Sequence, residues 1–367
     1  MDVALILEWT IKSLILIVAM LVGFMYLTLY ERKALARIQV RIGPNRAGPG
    51  GVFQPLADGL KLIFKEELLP ASSYKVIFIL APIVTVVPAL IILAVVPWGG
   101  TVTIFGRQVS MSVANLNIGI LYITAIASIS IYGIVLAGWS SNNKYAMLGG
   151  IRSSAQMISY ELALGMGFIG PMLLANSMNM LEIVEAQSPV WFVVYQPLGA
   201  LIFWIATLAE VNRAPFDMPE AEQELTAGYH TEYSGLKFAL FFMAEYIKMI
   251  AVSAIAASLF FGGFLGPNLS WIPVIGPSIN PWLGPLWLFL KIVILLFGMI
   301  WVRATLPRIR YDRLMAFGWK LLFPLALANI LITAVGITLN MLWLIPVLSL
   351  LALFLAVYLV RKALSRR

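Results

Sequence analysis

Acidic side chains concentrate in one short stretch of the chain. Residues 210–245 carry seven of the 17 acids: Glu210, Asp217, Glu220, Glu222, Glu224, Glu232 and Glu245. If Asp217 caps a short helix, Glu220 completes a capping box, and Glu224 lies one turn further on the same face. Two carboxylates that close can hold one proton between them. The cluster therefore suits proton uptake or relay, although helix capping within a solvated acidic loop explains the same pattern.

Three acids lie in or beside apolar runs. Glu161 opens one run, Glu210 closes the next, and Glu245 lies inside a third. An ionisable group in the hydrocarbon region costs about 2.5 kcal/mol or more, so such residues are candidates for proton transfer. Lys248, one turn after Glu245, offers an internal ion pair as the structural alternative.

Basic side chains collect in a different stretch, which begins at Glu31. Arg32, Arg37 and Arg41 precede a glycine-rich segment, 43–51, whose composition predicts a shaped turn. These arginines could bind a polar headgroup or a partner's carboxylates by forked hydrogen bonds, or anchor the chain on anionic lipid. For a later basic group, lipid anchoring is the favoured interpretation: Arg303, Arg308, Arg310 and Arg313.

The elements that position these groups are membrane spans. The chain has 367 residues, of which 61% are hydrophobic and 11% charged, and its apolar residues fall in runs of about 20, the length that crosses a bilayer core. We predict an all-α polytopic bundle over 1–367, with about nine transmembrane helices (eight possible): 10–30, 76–96, 116–138, 157–175, 190–209, 238–261, 285–302, 321–340 and 342–360.

The distribution of lysine and arginine predicts the orientation of the bundle. Seventeen of the 25 fall in the loops after spans 1, 3, 5 and 7, against one, Arg107, in the even loops. By the positive-inside rule, the N-terminus lies outside and the odd loops are cytoplasmic, at about 31–75, 139–156, 210–237 and 303–320. The basic C-terminal tail then favours nine spans. The first apolar run is as long as a full span, so no cleavable signal is expected.

The first odd loop contains one more predicted element. Residues 52–67 place Phe53, Leu56, Leu60, Ile63 and Phe64 at helical spacing, with polar residues on the opposite side. This pattern predicts an amphipathic helix lying in the membrane interface, and a helix buried against the bundle is the alternative.

Composition excludes several classes of protein. With no cysteine and one histidine, His230, the chain cannot bind an iron–sulfur cluster through thiolates or a haem through a histidine pair. We expect it to bind no metal and no flavin. The formal charge of +8 is explained by topology, so nucleic acid is not an expected partner.

Four long motifs resemble the cytoplasmic loops of the family of the H subunit of NADH–quinone oxidoreductase, respiratory complex I. They read ERKALARIQVRIGPNRAGPGGVFQPLADGLKLIFKE (31–66), GWSSNNKYAMLGGIRSSAQMISYE (138–161), AEVNRAPFDMPEAEQELTAGYHTEYSGLKFALFFMAEY (209–246) and RATLPRIRYDRLMAFGWKLLFPLAL (303–327). The resemblance continues in order over essentially the whole chain. Related subunits of membrane-bound hydrogenases and other ferredoxin-linked complexes are the alternative, while a self-contained transporter or a purely structural anchor fits the motifs less well.

The resemblance implies a subunit of a proton-pumping translocase in the bacterial inner membrane. Its substrate would be a quinone (ubiquinone or menaquinone), reduced in a chamber shared with iron–sulfur subunits of the peripheral arm. Small and antiporter-like membrane subunits and membrane lipid are the other expected partners. No residue is expected to act as a nucleophile.

The resemblance also assigns roles to residues. Quinone binding is implied for Arg32, Arg41, Asp58, Lys61, Arg213 and Asp217. A proton path and coupling are implied for Glu161, Glu210, Glu220, Glu222, Glu224 and Glu245. Some relatives carry a further glutamate midway along span 3, where this chain has Ser128 and Ser130, so the path must either tolerate serine there or take another route.

Overall fold

The computed structural model describes residues 3–104, 107–219, 227–267 and 276–365. Within this part of the chain the structure is almost entirely helical. Helices are favoured because each satisfies its own backbone hydrogen bonds where no water is available.

Thirteen α-helices follow one another in the described residues. The first six are α1 (Val3–Ile38), α2 (Gln54–Ile63), α3 (Lys75–Ile91), α4 (Gly119–Ser140), α5 (Lys144–Ala175) and α6 (Met180–Ala186). The others are α7 (Phe192–Tyr195), α8 (Pro197–Glu210), α9 (Gly235–Phe260), α10 (Gly276–Thr305), α11 (Tyr311–Phe317), α12 (Phe323–Thr338) and α13 (Leu344–Ser365).

The apolar helices confirm the predicted membrane bundle. Seven helical segments of the described chain are long and apolar enough to cross a bilayer, and α11 and α12 join through a π-helical turn to form the last of these. Two shorter apolar helices, α8 and the described part of α13, coincide with the fifth and ninth predicted spans. The turn between α12 and α13 is closed by Asn340, whose φ is +52°.

Two helices extend well beyond the predicted spans. At 36 residues, α1 is about 54 Å long, against a hydrocarbon core of about 30 Å. Helix α5 begins at Lys144 rather than near 157, because the Asn143 side chain accepts a hydrogen bond from the Tyr145 N–H at 2.9 Å and caps it. Most of segment 139–156 is therefore helical.

A short β-hairpin departs from the all-helical expectation. Strands β1 (Thr101–Ile104) and β2 (Arg107–Ser110) pair antiparallel between α3 and α4. Each strand has only four residues, so a search for long apolar runs does not detect them.

The amphipathic segment forms the helix predicted from its pattern. In α2 the apolar side chains remain largely exposed in the chain, with Leu60 and Ile63 each 55% and Phe64 84% accessible. The polar side faces α1, where the Arg32 Nη1 donates to Asp58 Oδ2 at 2.6 Å. The alternative of a helix buried against the bundle is therefore wrong for this chain by itself.

Close helix crossings bring the ionisable residues together. Helix α3 packs against α4 and α9, and α5 packs against α4 and α8. A Cβ on Gly133 of α4 would lie 2.0 Å from Thr85 Oγ1 of α3, so only glycine permits this approach. Among the described helices long enough to span a bilayer, α9 is the most buried, with 67% of its apolar stretch inside the protein. It carries Glu245 and Lys248 into the interior.

Candidate functional site

Two arginines and two glutamates form a largely buried ionic cluster, which we call the junction cluster: Glu31, Arg213, Glu245 and Arg303. Arg213 Nη1 lies 2.9 Å from Glu31 Oε1, and Arg213 Nε lies 2.7 Å from Glu245 Oε1. Arg303 Nη1 also donates to Glu31 Oε1. Glu31 and Arg213 are 3% and 2% exposed. Buried charges persist only when they are paired, so these four residues depend on one another.

The junction cluster draws on four separate segments. Glu31 lies in the last third of α1, Glu245 in α9 and Arg303 at the end of α10, while Arg213 follows α8. The turn that holds Arg213 is anchored by buried Gln156, whose Nε2 donates to Ala209 O at 2.8 Å and to Phe216 O at 2.7 Å. The position of Arg213 is therefore set by α5 as well as by α8.

The charge of Arg213 is strongly favoured by its surroundings. Burial opposes the charged form, but the Glu245 and Glu31 carboxylates outweigh it, so the pKa of the guanidinium is raised. The guanidinium also lies 4.4 Å from the centre of the Tyr246 ring, a contact that favours a cation over an aromatic face. Arg213 thus remains a fixed cation that links two carboxylates.

A second group of ionisable residues adjoins the junction cluster, and we call it the inner group: Glu161, Glu210 and Lys248. A cavity of about 20 Å³ is lined by Glu210, Lys248 and Glu245, the last of which belongs to the junction cluster. That volume can hold about one water. Lys248 interacts electrostatically with Glu210, Glu245 and Glu161. Among the described residues, no hydrogen-bond partner reaches Glu210 Oε2.

Ser128 of α4 adds a further polar side chain next to Glu161 of the inner group. Its hydroxyl donates to Thr124 O at 3.0 Å and lies against the Glu161 carboxylate. This is where some relatives were expected to carry a glutamate. In this chain a serine hydroxyl contacts Glu161 instead.

A groove lies between α1, α2 and the start of α9. It has a volume of about 390 Å³, and Arg32, Asp58, Lys61, Lys65 and Phe238 are among its lining residues. Three of the residues to which quinone binding was assigned, Arg32, Asp58 and Lys61, are therefore together. The groove is amphipathic, with a charged wall and an aromatic one.

Arg41 and Asp217, to which quinone binding was also assigned, do not line this groove. Arg41 lines a different, larger groove of about 690 Å³ with Arg37 and Lys33, beside the turn that contains Gly51. Asp217 is 6% exposed, in the turn after Arg213. Glu220, Glu222 and Glu224, including the expected capping box, lie outside the described residues.

Three residues of the site were not assigned from the sequence. Glu31 and Arg303 read as loop charges at the ends of apolar runs, and lipid anchoring was expected for Arg303. Lys248 was considered only as the partner of Glu245, whereas Glu245 pairs with Arg213 as well. The sequence did contain a signal for Lys248. A lysine inside an apolar run is costly in the same way as a glutamate, so Lys248 was as much a candidate as Glu245.

Comparison with known proteins agrees with the sequence motifs. A sequence model of the family described as NADH dehydrogenase matches residues 11–334. The H subunit of NADH-quinone oxidoreductase from Protochlamydia amoebophila is 50% identical over 309 residues, covering 84% of this chain and 91% of that protein.

Two further relatives extend the comparison to other bacteria. The NADH-quinone oxidoreductase H subunit numbered 2 of Syntrophobacter fumaroxidans is 48% identical over 334 residues, or 89% of this chain and 97% of that one. The corresponding H subunit of Thermomicrobium roseum is 46% identical over 338 residues, or 87% and 95%. With a family match over most of its length and relatives this similar, the chain belongs to the NADH dehydrogenase family of membrane subunits that includes the H subunit of NADH-quinone oxidoreductase.

Proposed function

We propose that this chain is the membrane subunit of a proton-pumping NADH–quinone oxidoreductase that forms part of the quinone-binding chamber. We further propose that it couples quinone reduction to proton translocation through its buried glutamates. It acts within a complex, beside iron–sulfur subunits of a peripheral arm and small and antiporter-like membrane subunits. The names of its relatives support the complex, and the geometry of its ionisable residues supports the two roles.

The observation that carries the proposal is a series of ionisable side chains within a largely apolar bundle. It begins at the groove with the Arg32–Asp58 pair, and Glu31, the residue before Arg32 in α1, pairs with Arg213. Arg213 reaches Glu245, which borders the cavity shared with Glu210 and Lys248. So many partly or fully buried charges are costly, and stability alone does not account for retaining them.

The groove suits the two ends of a quinone. Its charged wall offers Arg32 and Lys61 as hydrogen-bond donors to a carbonyl oxygen, and Phe238 offers an apolar face to the ring or tail. The exposed apolar side chains of α2 would lie in the bilayer interface, where a quinone tail resides. Two protons and two electrons convert a quinone to a quinol, and the electrons come from a partner's cluster.

Coupling follows from the charges that quinone chemistry creates. Negative charge at the reduced quinone acts on the nearest ionisable groups, strongly where water is scarce. Arg213 holds Glu31 and Glu245 simultaneously, so a change at Glu31 alters the field at Glu245. Glu245 borders the inner group, and a change in its charge or position is felt by Glu210 and Lys248.

A photoreactive quinone tests the location of the chamber. The intact complex, purified in mild detergent, is illuminated with the probe, and peptides of this chain are analysed by mass spectrometry. We expect labelling within 54–65 and near Phe238, suppressed by excess unlabelled quinone.

Iron–sulfur, flavin and antiporter-like subunits should co-purify. If a complex that reduces quinone carries no label on this chain, the proposed chamber is wrong. If a nickel–iron hydrogenase co-purifies instead, the function belongs to that class of complex.

A further inference from the structure

Lys248 is the cation of the inner group, and it interacts electrostatically with both acids there. It lies in the middle of α9 and is 7% exposed. Phe241, Glu245 and Lys248 are spaced by four and three residues, so they share one face of α9, and all three line the 20 Å³ cavity. Lys248 thus faces a space that can hold a water.

The groups around Lys248 come from several elements. Glu245 belongs to its own helix, Glu210 ends α8, and Glu161 lies in α5; all three interact with Lys248 electrostatically. The cavity is closed by Thr85 of α3, Ile134 of α4, and Asn212 and Tyr229 from the segments between helices. Among the described residues, the titratable groups that line the cavity with Lys248 are Glu210, Glu245 and Tyr229, and Glu161 acts on Lys248 electrostatically.

The charges of the two groups do not balance. The junction cluster and the inner group together contain four carboxylates, Glu31, Glu161, Glu210 and Glu245, against three cations, Arg213, Arg303 and Lys248. One added proton would make this set neutral. Two of the cations are guanidinium groups, which do not deprotonate in proteins, so Lys248 is the cation of this set that can release a proton as well as hold one.

We propose that Lys248 is itself a proton-transfer residue of the buried path, in addition to the glutamates. The Nζ ammonium gives a proton to the Glu210 carboxylate through water in the cavity, leaving a neutral amine and a carboxylic acid. The amine lone pair then accepts a proton from Glu161 or Glu245 when one of these is a carboxylic acid. Each step moves one proton, so that Lys248 ends as an ammonium and one proton has passed from Glu161 or Glu245 to Glu210.

This proposal rests on the proposed function, and the alternative roles of Lys248 differ in what they require. A counter-ion needs only a permanent positive charge, which arginine supplies. A purely structural residue needs only volume, which methionine supplies. A proton carrier needs a group that gains and loses a proton, which histidine supplies in a smaller side chain. The three substitutions therefore separate the three roles.

The test uses the whole complex reconstituted in liposomes, with NADH oxidation and proton uptake measured together. We expect Lys248→Met and Lys248→Arg to lower pumping-coupled turnover by about a hundredfold, the low side of what loss of a positioned proton-transfer group costs. Lys248→His should retain more turnover than either, with its optimum moved to lower pH. Lys12→Met, which removes a lysine near the start of α1, is the control and should behave as wild type.

The outcomes are distinguishable even where one variant does not assemble. Wild-type coupling in Lys248→Arg, or in Lys248→Met, overturns the proposal, and so does failure of histidine to exceed methionine. If the Lys248→Arg complex does not assemble, the comparison of Lys248→His with Lys248→Met still tests the proposal. Glu210→Gln is measured in parallel: if it lowers coupling while the lysine variants do not, only the role of Lys248 is wrong, and if it too is inert, the proposed path is wrong.

Discussion

At the scale of single residues, Glu31 is the shared partner of two arginines. It accepts from Arg213 at 2.9 Å and from Arg303, and it is almost completely buried. Its position at the transition from an apolar run to a basic loop gave no sign of this. Its partners are 182 and 272 positions away in the chain, and a contact at that separation leaves no trace in local spacing.

Replacing Glu31 should therefore destabilise the junction between four segments. Glu31→Gln leaves Arg213 with Glu245 alone, and breaking a buried pair typically costs about 3–5 kcal/mol. We expect a lower thermal transition for the purified complex and reduced NADH–quinone activity. Asp312→Asn removes a carboxylate from an exposed pair with Arg310, and such pairs contribute about 0–1 kcal/mol. Equal transitions for the two variants would contradict the assignment of Glu31.

At the scale of elements, the packing of α3 on α4 determines the distance between the walls of the inner cavity. Thr85 of α3 and Ile134 of α4 both line that cavity. Gly133 permits the approach, since a Cβ there would also lie 2.8 Å from Ala81 O and 2.9 Å from Thr85 N. These neighbours are backbone atoms, which cannot rotate away.

Gly133→Ala should force α3 and α4 apart. Overpacking of this kind costs about 1–3 kcal/mol, and the shift would widen the inner cavity. We expect a lower thermal transition of the complex and weaker coupling of proton uptake to NADH oxidation. The matched control is Gly165→Ala in α5, where a Cβ would meet no atom within 4 Å, so stability there should be unchanged or higher. A Gly133→Ala complex as stable as Gly165→Ala would show that the helices do not depend on this contact.

Elements were predictable from the sequence where hydrophobic runs decide them. In the described residues, seven long apolar helices and two shorter ones overlap the predicted spans, and α2 lies within the segment whose periodicity predicts it, because length and apolar content are local properties. The start of α5 was missed because a single cap, Asn143, outweighs the polarity of 144–156. The residues of the inner group were recognisable individually, by their cost in an apolar run, but their convergence on one cavity depends on helix packing.

At the scale of the whole molecule, the distribution of basic residues predicts the orientation of the bundle. The N-terminus and the even loops are expected outside and the odd loops inside, an expectation of the positive-inside rule. Absence of cysteine from the chain makes this simple to test, since any single introduced cysteine is the only one in the chain.

Two exposed serines give opposite expectations. Ser72 lies in the first odd loop and Ser188 in an even loop, and both are exposed. In spheroplasts, a membrane-impermeant maleimide should label this chain in Ser188→Cys and not in Ser72→Cys, whereas inverted vesicles should give the reverse. Labelling of Ser72→Cys in intact spheroplasts would reverse the proposed topology.

Glu245 joins the junction cluster to the inner cavity, so it tests the central claim of coupling most directly. The measurement is proton uptake together with NADH–quinone turnover by the Glu245→Gln complex in liposomes, with Glu185→Gln, an exposed acid on α6, as the control. We predict that Glu245→Gln assembles and loses most of both activities, while the control keeps them. Wild-type turnover and proton uptake in a fully assembled Glu245→Gln complex would contradict the account.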